Sequence, residues 1–279
     1  MKTILIALVL FAASICTTAQ NDLEKLAATE RSFAALAAEK GTKQAFLENA
    51  ASDAVVFQPD RINAKEYWNA RGESKGLLSW DPNYADVSSN GLLGYTTGNW
   101  EYRSAGKGGT PEAFGNFITI WQRQPDGKYK FVVDIGVPHD KPAAYSTALA
   151  PPAYPSSSNE RNTSAADTAN SFFEVIGKNG LSAAYKTYAA KEIRSFRENT
   201  MPMIGKSDLL SYIKKTKGTT KLTKRATFLG SADIAYIVNT YTRTSEDGKA
   251  EKGNFMQIWK LIGGRWQIVL DIFKPRPEK

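Results

Sequence analysis

The chain has 279 residues, 42% hydrophobic and 23% charged, with a net charge of +8, one histidine and one cysteine. A lone Cys16 excludes an internal disulfide and a cysteine-type structural zinc, and a lone His139 argues against a histidine-based metal site, so neither metal nor other cofactor is expected. Residues 21–140 hold 13 Lys and Arg against 16 Asp and Glu, while residues 141–279 hold 22 against 12. That basic half reads as a solubility device or a surface for anions; without a base-stacking motif, no specific nucleic-acid binding is expected.

Lys2 followed by an apolar run from Ile4 to Ala13 and small or polar residues through Gln20 has the layout of a secretory signal peptide. Cleavage near Ala19 or Gln20 and a periplasmic or secreted product are expected. Ile15 before Cys16 disfavours a lipoprotein anchor. A bilayer span needs roughly 20 apolar residues, and no segment supplies them, so no transmembrane segment is expected.

From residue 21 onward the chain is read as helix, helix, strand, helix and then strands. Asn21 with Glu24 has capping-box spacing ahead of an apolar face of Leu23, Leu26, Ala27, Phe33, Leu36 and Ala37, which Gly41 ends. Thr42 is expected to cap a second, short helix. A strand around Phe57 and a helix over AKEYWNAR follow. Pro125-Asp126-Gly127 predicts a three-residue hairpin loop pairing Gln124 with Lys128. That register puts Phe117, Thr119 and Trp121 on one face with Tyr129, Phe131 and Val133, and puts Asp134 on the other with Ile118, Ile120 and Val132.

Residues 141–164, rich in Pro, Ser and Ala, read as a linker, after which the same order returns. Ser164 with Asp167 starts a long helix ending near Gly177, a strand surrounds Phe196, and Ser207 caps a third helix. GNFITIWQRQPDGKYKFVVDI (115–135) matches GNFMQIWKLIGGRWQIVLDI (253–272). Phe33, Phe57, Phe117 and Asp134 are separated by 24, 60 and 17 residues; Phe172, Phe196, Phe255 and Asp271 by 24, 59 and 16. Two copies, each long enough for its own core, make a duplicated domain over 21–140 and 165–279. The Gly263-Gly264 turn sets a register with Asp271 beside Met256, Ile258 and Val269.

This order, ending in W(K/Q)xxxxGx(W/Y)xxVxDI, resembles the nuclear transport factor 2 superfamily, in particular its bacterial polyketide-cyclase-like (SnoaL-like) members and a related domain of unknown function. LLSWDPNYADVSSNGLLGYTTGNWEY (77–102) looks like the latter group. The resemblance implies an α+β class: two tandem cone-shaped half-open barrels, each a curved antiparallel sheet wrapped around a long N-terminal helix, with a cavity at the wide end. Residues suited to lining the cavities are Phe57, Trp80, Tyr95, Trp100, Tyr102 and Trp121 in the first copy, and Phe196, Tyr236, Tyr241 and Trp259 in the second. Each of these rings reads equally as core filling.

Asp134 and Asp271 recur between Val or Leu and Ile. Burial there would raise a carboxyl pKa toward that of a general acid or base, and superfamily enzymes that move protons next to carbonyls use a cavity aspartate. Either aspartate reads as well as a structural group bonded to backbone or to an arginine. Asp53 reads as a turn residue, His139 beside Asp140 as a weak catalytic candidate, and GKGG (106–109) as a hairpin loop. The basic run from Lys214 to Arg225 reads as an anionic-surface contact or a solvated edge. Three functions follow. The first, preferred, is a non-enzymatic module holding a small apolar or amphipathic ligand, with Asp271 among the lining residues of the second copy. The second is an isomerase, cyclase or dehydratase with Asp134 as base and Tyr95 or Tyr102 polarising a carbonyl. The third is an envelope interaction scaffold whose two domains pair as an internal pseudo-dimer.

Overall fold

Leu23, Leu26, Ala27, Phe33 and Ala37 recur at helical spacing, and all are buried along one side of α1 (Lys2–Lys40). The computed structural model describes residues 2–146, 148–155, 164–223 and 228–277; the side chains of residues 2–20 and of Phe228 are outside the described residues. The apolar run of the expected leader, Cys16, and Lys224 and Arg225 of the basic run therefore lie outside them. Among the described residues no helix is long and apolar enough to cross a membrane.

Asn21 is not a cap: α1 runs through it, so upstream carbonyls and amides continue the helical ladder that a capping side chain would have ended. Gly41, at φ 90°, turns the chain into α2 (Thr42–Asn49) and occupies the cap position expected for Thr42. After β1 (Ala50–Phe57) and β2 (Arg61–Asn63), the Asn63 side chain accepts from the amides of Lys65 and Glu66 and starts α3 (Ala64–Asn69). Four long strands follow: β3 (Leu77–Val87), β4 (Leu93–Arg103), β5 (Ala113–Arg123) and β6 (Tyr129–His139).

The second unit repeats this with α4 (Ala165–Tyr188), capped by Ser164 as expected, but its break falls at Gly180 (φ 80°), three residues past Gly177. Then come β7 (Ala189–Arg197), β8 (Thr200–Ile204), α5 (Lys206–Lys215), β9 (Thr219–Leu222), β10 (Phe228–Ser231), β11 (Ile234–Thr244), β12 (Ala250–Ile262) and β13 (Arg265–Pro275). Gly205 precedes α5, leaving Ser207 inside its first turn and not at the cap.

The sheets run β2-β1-β6-β5-β4-β3 and β10-β11-β12-β13-β7-β8, with β9 on β11. Each is mixed, not wholly antiparallel, because β1 pairs parallel with β6 and β7 with β13. The chain leaves each first strand through a short antiparallel strand and a helix and returns to its other side only with the last strand, and that long path lets the two lie in the same direction.

The hairpin register holds at the turn, where the Gln124 amide donates to the Lys128 carbonyl at 2.8 Å, and then changes. Trp121 pairs with Phe131, yet Ile120 pairs with Val133, so Val132 is an extra residue in β6. In the second unit Trp259 pairs with Ile268 and Ile258 with Leu270, leaving Val269 extra. A bulge of one residue reverses the alternation beyond it. Asp134 consequently pairs with Thr119 and shares the face of Phe117 and Trp121, not that of Ile118 and Ile120. Asp271 likewise pairs with Gln257 and not with Met256 and Ile258 as its neighbours on a face.

The faces turned away from the helices meet. Ile118, Ile120, Val133 and Ile135 of the first unit belong to one buried apolar cluster with Tyr236, Met256, Ile258, Leu270 and Ile272 of the second. Inside this contact Lys260 Nζ reaches both carboxylate oxygens of Asp86 at 2.7 Å, with both side chains buried. The Ser89 amide donates to Asp233 at 2.7 Å, and Arg194 lies 3.8 Å over the Tyr84 ring. The linker closes over the joint: Leu149, Ala150 and Tyr154 pack on the shared cluster, and the Tyr154 hydroxyl accepts from the Glu192 amide at 2.7 Å.

Removing one partner of a buried ion pair leaves the other charge uncompensated. Lys260→Met is expected to cost about 3–5 kcal/mol in urea unfolding, and Lys260→Met with Asp86→Leu to recover much of it. Equal stability of Lys260→Met and the parent would show that the pair does not hold the units together.

Candidate functional site

Trp100 on β4 pairs with Gly115 on β5, and a Cβ on that glycine would sit 2.5 Å from the Trp100 ring. The ring therefore lies flat over glycine backbone, with its Nε1 donating to the Asn116 carbonyl at 3.1 Å. Gly253 does the same under Tyr241, where a Cβ would be 2.4 Å from the ring. The glycine of each GNF segment thus makes room for one aromatic wall.

In the first unit that wall belongs to a cavity of about 410 Å3, in the range of small-molecule sites. Phe57, Trp80, Trp100, Tyr102 and Phe117 line it, with Asp134 and with Lys274 from the second unit. Trp80 stands on β3, paired with Trp100. The Asp134 carboxylate accepts from Thr119 Oγ1 at 2.8 Å and remains partly open to the cavity. Burial pushes its pKa up to about 6, against the opposing pull of the Thr119 hydrogen bond and the Lys274 charge.

Two of the expected lining residues lie elsewhere. Trp121 is fully buried behind the cavity. Tyr95 has the opposite parity on β4 from Trp100 and Tyr102, so strand alternation turns it to the other face, near Tyr84. In the second unit only Tyr241 lines the corresponding cavity, of about 330 Å3, together with Arg197, Tyr212, Arg243, Glu251 and Phe273. Tyr236, again of opposite parity to Tyr241, lies in a groove between the units with the exposed Asp53. Phe196 is buried in the shared cluster, and Trp259 is fully buried with its Nε1 lacking a hydrogen-bond partner among the described residues. Asp271 is fully buried, ion-paired to Arg197 at 2.7 Å, and accepts from the Tyr185 hydroxyl at 2.6 Å. His139 is buried, with Nδ1 2.6 Å from the Asp140 carbonyl and away from either cavity.

Glu30 was not singled out by the sequence. It is fully buried on α1, where its carboxylate accepts from Trp80 Nε1 at 2.6 Å, Thr96 Oγ1 at 2.5 Å and Trp121 Nε1 at 2.9 Å. Burial raises its pKa to about 7; the hydrogen bonds oppose this and the Asp134 charge adds to it. Its signal was present: Glu30 falls between Leu26, Phe33 and Ala37 on the apolar stripe, where a charge is costly unless bonded. The equivalent residue of the second copy, by the Phe33 to Phe172 offset, is Ala169, which leaves the Trp259 Nε1 without an acceptor.

Solved structures resembling this chain each align to a length close to one unit. A nuclear-transport-factor-2-like protein of unknown function from Shewanella oneidensis is 19% identical, with 39% of this chain and 93% of that one covered and a TM-score of 0.32. A superfamily protein from Salmonella enterica serovar Typhimurium is 18% identical over 41% of this chain and 89% of that one, with a TM-score of 0.34. One from Cytophaga hutchinsonii is 10% identical over 39% and 93%, also at 0.34. The likeness is one of fold, over about the length of one of the two helix-and-sheet units. No protein-family model and no curated protein matches the chain.

A carboxyl whose pKa is higher folded than unfolded keeps its proton in the folded state where the unfolded chain has lost it, so its contribution to stability falls as pH rises between the two values. For Glu30 that window runs from 4.5 to about 7. Glu30→Gln, which cannot titrate, is expected to show a smaller drop in melting temperature between about pH 5 and about pH 7.5 than the parent. Parallel melting curves across that range would rule out a titrating Glu30.

Proposed function

We propose that the protein binds a small, mostly apolar molecule in the cavity of its first unit, with Asp134 as the polar anchor. What carries the reading is the contrast between two aspartates at the same place in the repeat. Asp271 is spent internally on Arg197 and Tyr185, while Asp134 has, among the described residues, only the Thr119 hydrogen bond and an aromatic-walled space. A buried carboxylate that the fold does not need for pairing is unfavourable unless something in the cavity uses it. The leader read over residues 1–20 would deliver this site outside the cytoplasm.

Proton transfer is the second reading. A carboxyl near pKa 6 open to a cavity suits a general base at neutral pH, and Tyr102 lines the same space as a hydroxyl donor. Asp134→Asn separates the two: a binding protein loses affinity with its anchor and has no turnover to lose, whereas an enzyme loses turnover while its apolar walls still hold the substrate.

Titration with a neutral, environment-sensitive naphthalene dye is expected to show one site. Trp100→Leu should weaken it by about three- to tenfold, the worth of an aromatic contact. Tyr241→Ala, in the second unit's cavity, should leave it unchanged. Native mass spectrometry of protein from its own host should show a retained small molecule. Equal effects of the two substitutions would remove the assignment to the first unit.

A further inference from the structure

The first unit's cavity is closed partly by the second unit. Lys274 stands three residues after Asp271, and the matching place in the first copy, three after Asp134, is Val137. The lysine is therefore not a scaffold feature kept by duplication. The end of its hairpin is clamped to the loop after β1. Asn254, its partner in the β12–β13 register, donates from Nδ2 to the Pro59 carbonyl at 2.8 Å, and Arg276 Nε meets Asp60 at 2.7 Å. Between these two contacts Lys274 reaches the cavity wall beside Gly136 and Pro138.

Lys274 is the one cation among the described lining residues, as Asp134 is the one carboxylate. The two do not form an ion pair, and Lys274 has no hydrogen-bond or ion-pair partner among the described residues. Its nearest acidic influences are Glu198, on the second unit's side, and Asp134 across the cavity. Burial without a partner lowers its pKa. Among the described residues, an ammonium without a partner and a carboxylate bonded only through one oxygen, to Thr119, line one apolar space and reward a guest that supplies both complements.

We propose that Lys274 is a specificity-determining residue lent by the second unit, and that the cavity selects an uncharged ligand whose apolar body carries an adjacent acceptor and donor, as in an amide. The acceptor meets the Lys274 ammonium and the donor meets Asp134. An anionic ligand would add a third negative charge to Asp134 and Glu198 around a single ammonium, and a cationic one would face Lys274. This rests on the ligand-binding reading above and deepens it.

The test is a set of dissociation constants for naphthalene, 2-naphthamide and 2-naphthoate, by ligand-detected magnetic resonance on the full chain and on Lys274→Met and Lys274→Arg. The parent is expected to bind the amide at least about tenfold more tightly than naphthalene or the carboxylate, the worth of a hydrogen bond to a charged group. Lys274→Met should cut the amide's advantage to the part that Asp134 supplies while naphthalene itself is unaffected, and Lys274→Arg should keep the full preference. A parent that favours the carboxylate, or a Lys274→Met protein that favours the amide as strongly as the parent, overturns the assignment. If none of the three binds, the ligand-binding reading falls with it; if naphthalene binds without an amide preference, only the role of Lys274 falls.

Discussion

One extra residue in the last strand of each unit determines which way an aspartate points. Without Val132 and Val269 in their bulges, period-two alternation would put Asp134 and Asp271 among Ile118, Ile120, Met256 and Ile258, on the faces by which the two sheets bury each other. A carboxylate there would meet only aliphatic groups, at a cost of several kcal/mol for a charge without partners. The bulge turns each aspartate toward the helical side, where hydroxyls, an arginine or a cavity can receive it.

Having turned inward, the two copies solve the same electrostatic problem differently. The second pairs Asp271 with Arg197, where the first unit's matching residue by the Phe57 to Phe196 offset is Gln58. The first leaves Asp134 open and adds another carboxyl, Glu30, whose three donors tie the Trp80 wall and the Trp121 core to the long helix. A matched tryptophan shows what that acid does, since Trp259, without a glutamate, has an Nε1 unsatisfied among the described residues. Duplication preserved the scaffold, and the polar interior diverged.

The apolar faces of the sheets bind the copies together, and the Asp86–Lys260 pair fixes how they sit. Hydrophobic burial is non-directional, whereas a lysine reaching both oxygens of one carboxylate permits few alternative registers. This fixed arrangement is also what carries Lys274 across to the first unit's cavity. The functional surface of one copy therefore depends on contacts made by the other.

Repetition, the helix order and the linker were legible in the sequence because they depend on spacing: landmark intervals repeat, apolar residues recur at helical period, and turns carry their glycines. Parity along a single strand was legible too, and it separates Tyr95 from Trp100 and Tyr236 from Tyr241. Glu30 was visible as a charge on an apolar stripe, though not its partners, which lie 50 to 91 residues away. Only the tertiary structure decided the faces of Asp134 and Asp271, the parallel return of β1 and β7, and the reach of Lys274. A bulge leaves no mark in residue type, and pairings between distant strands or separate units depend on contacts that no local window of sequence contains.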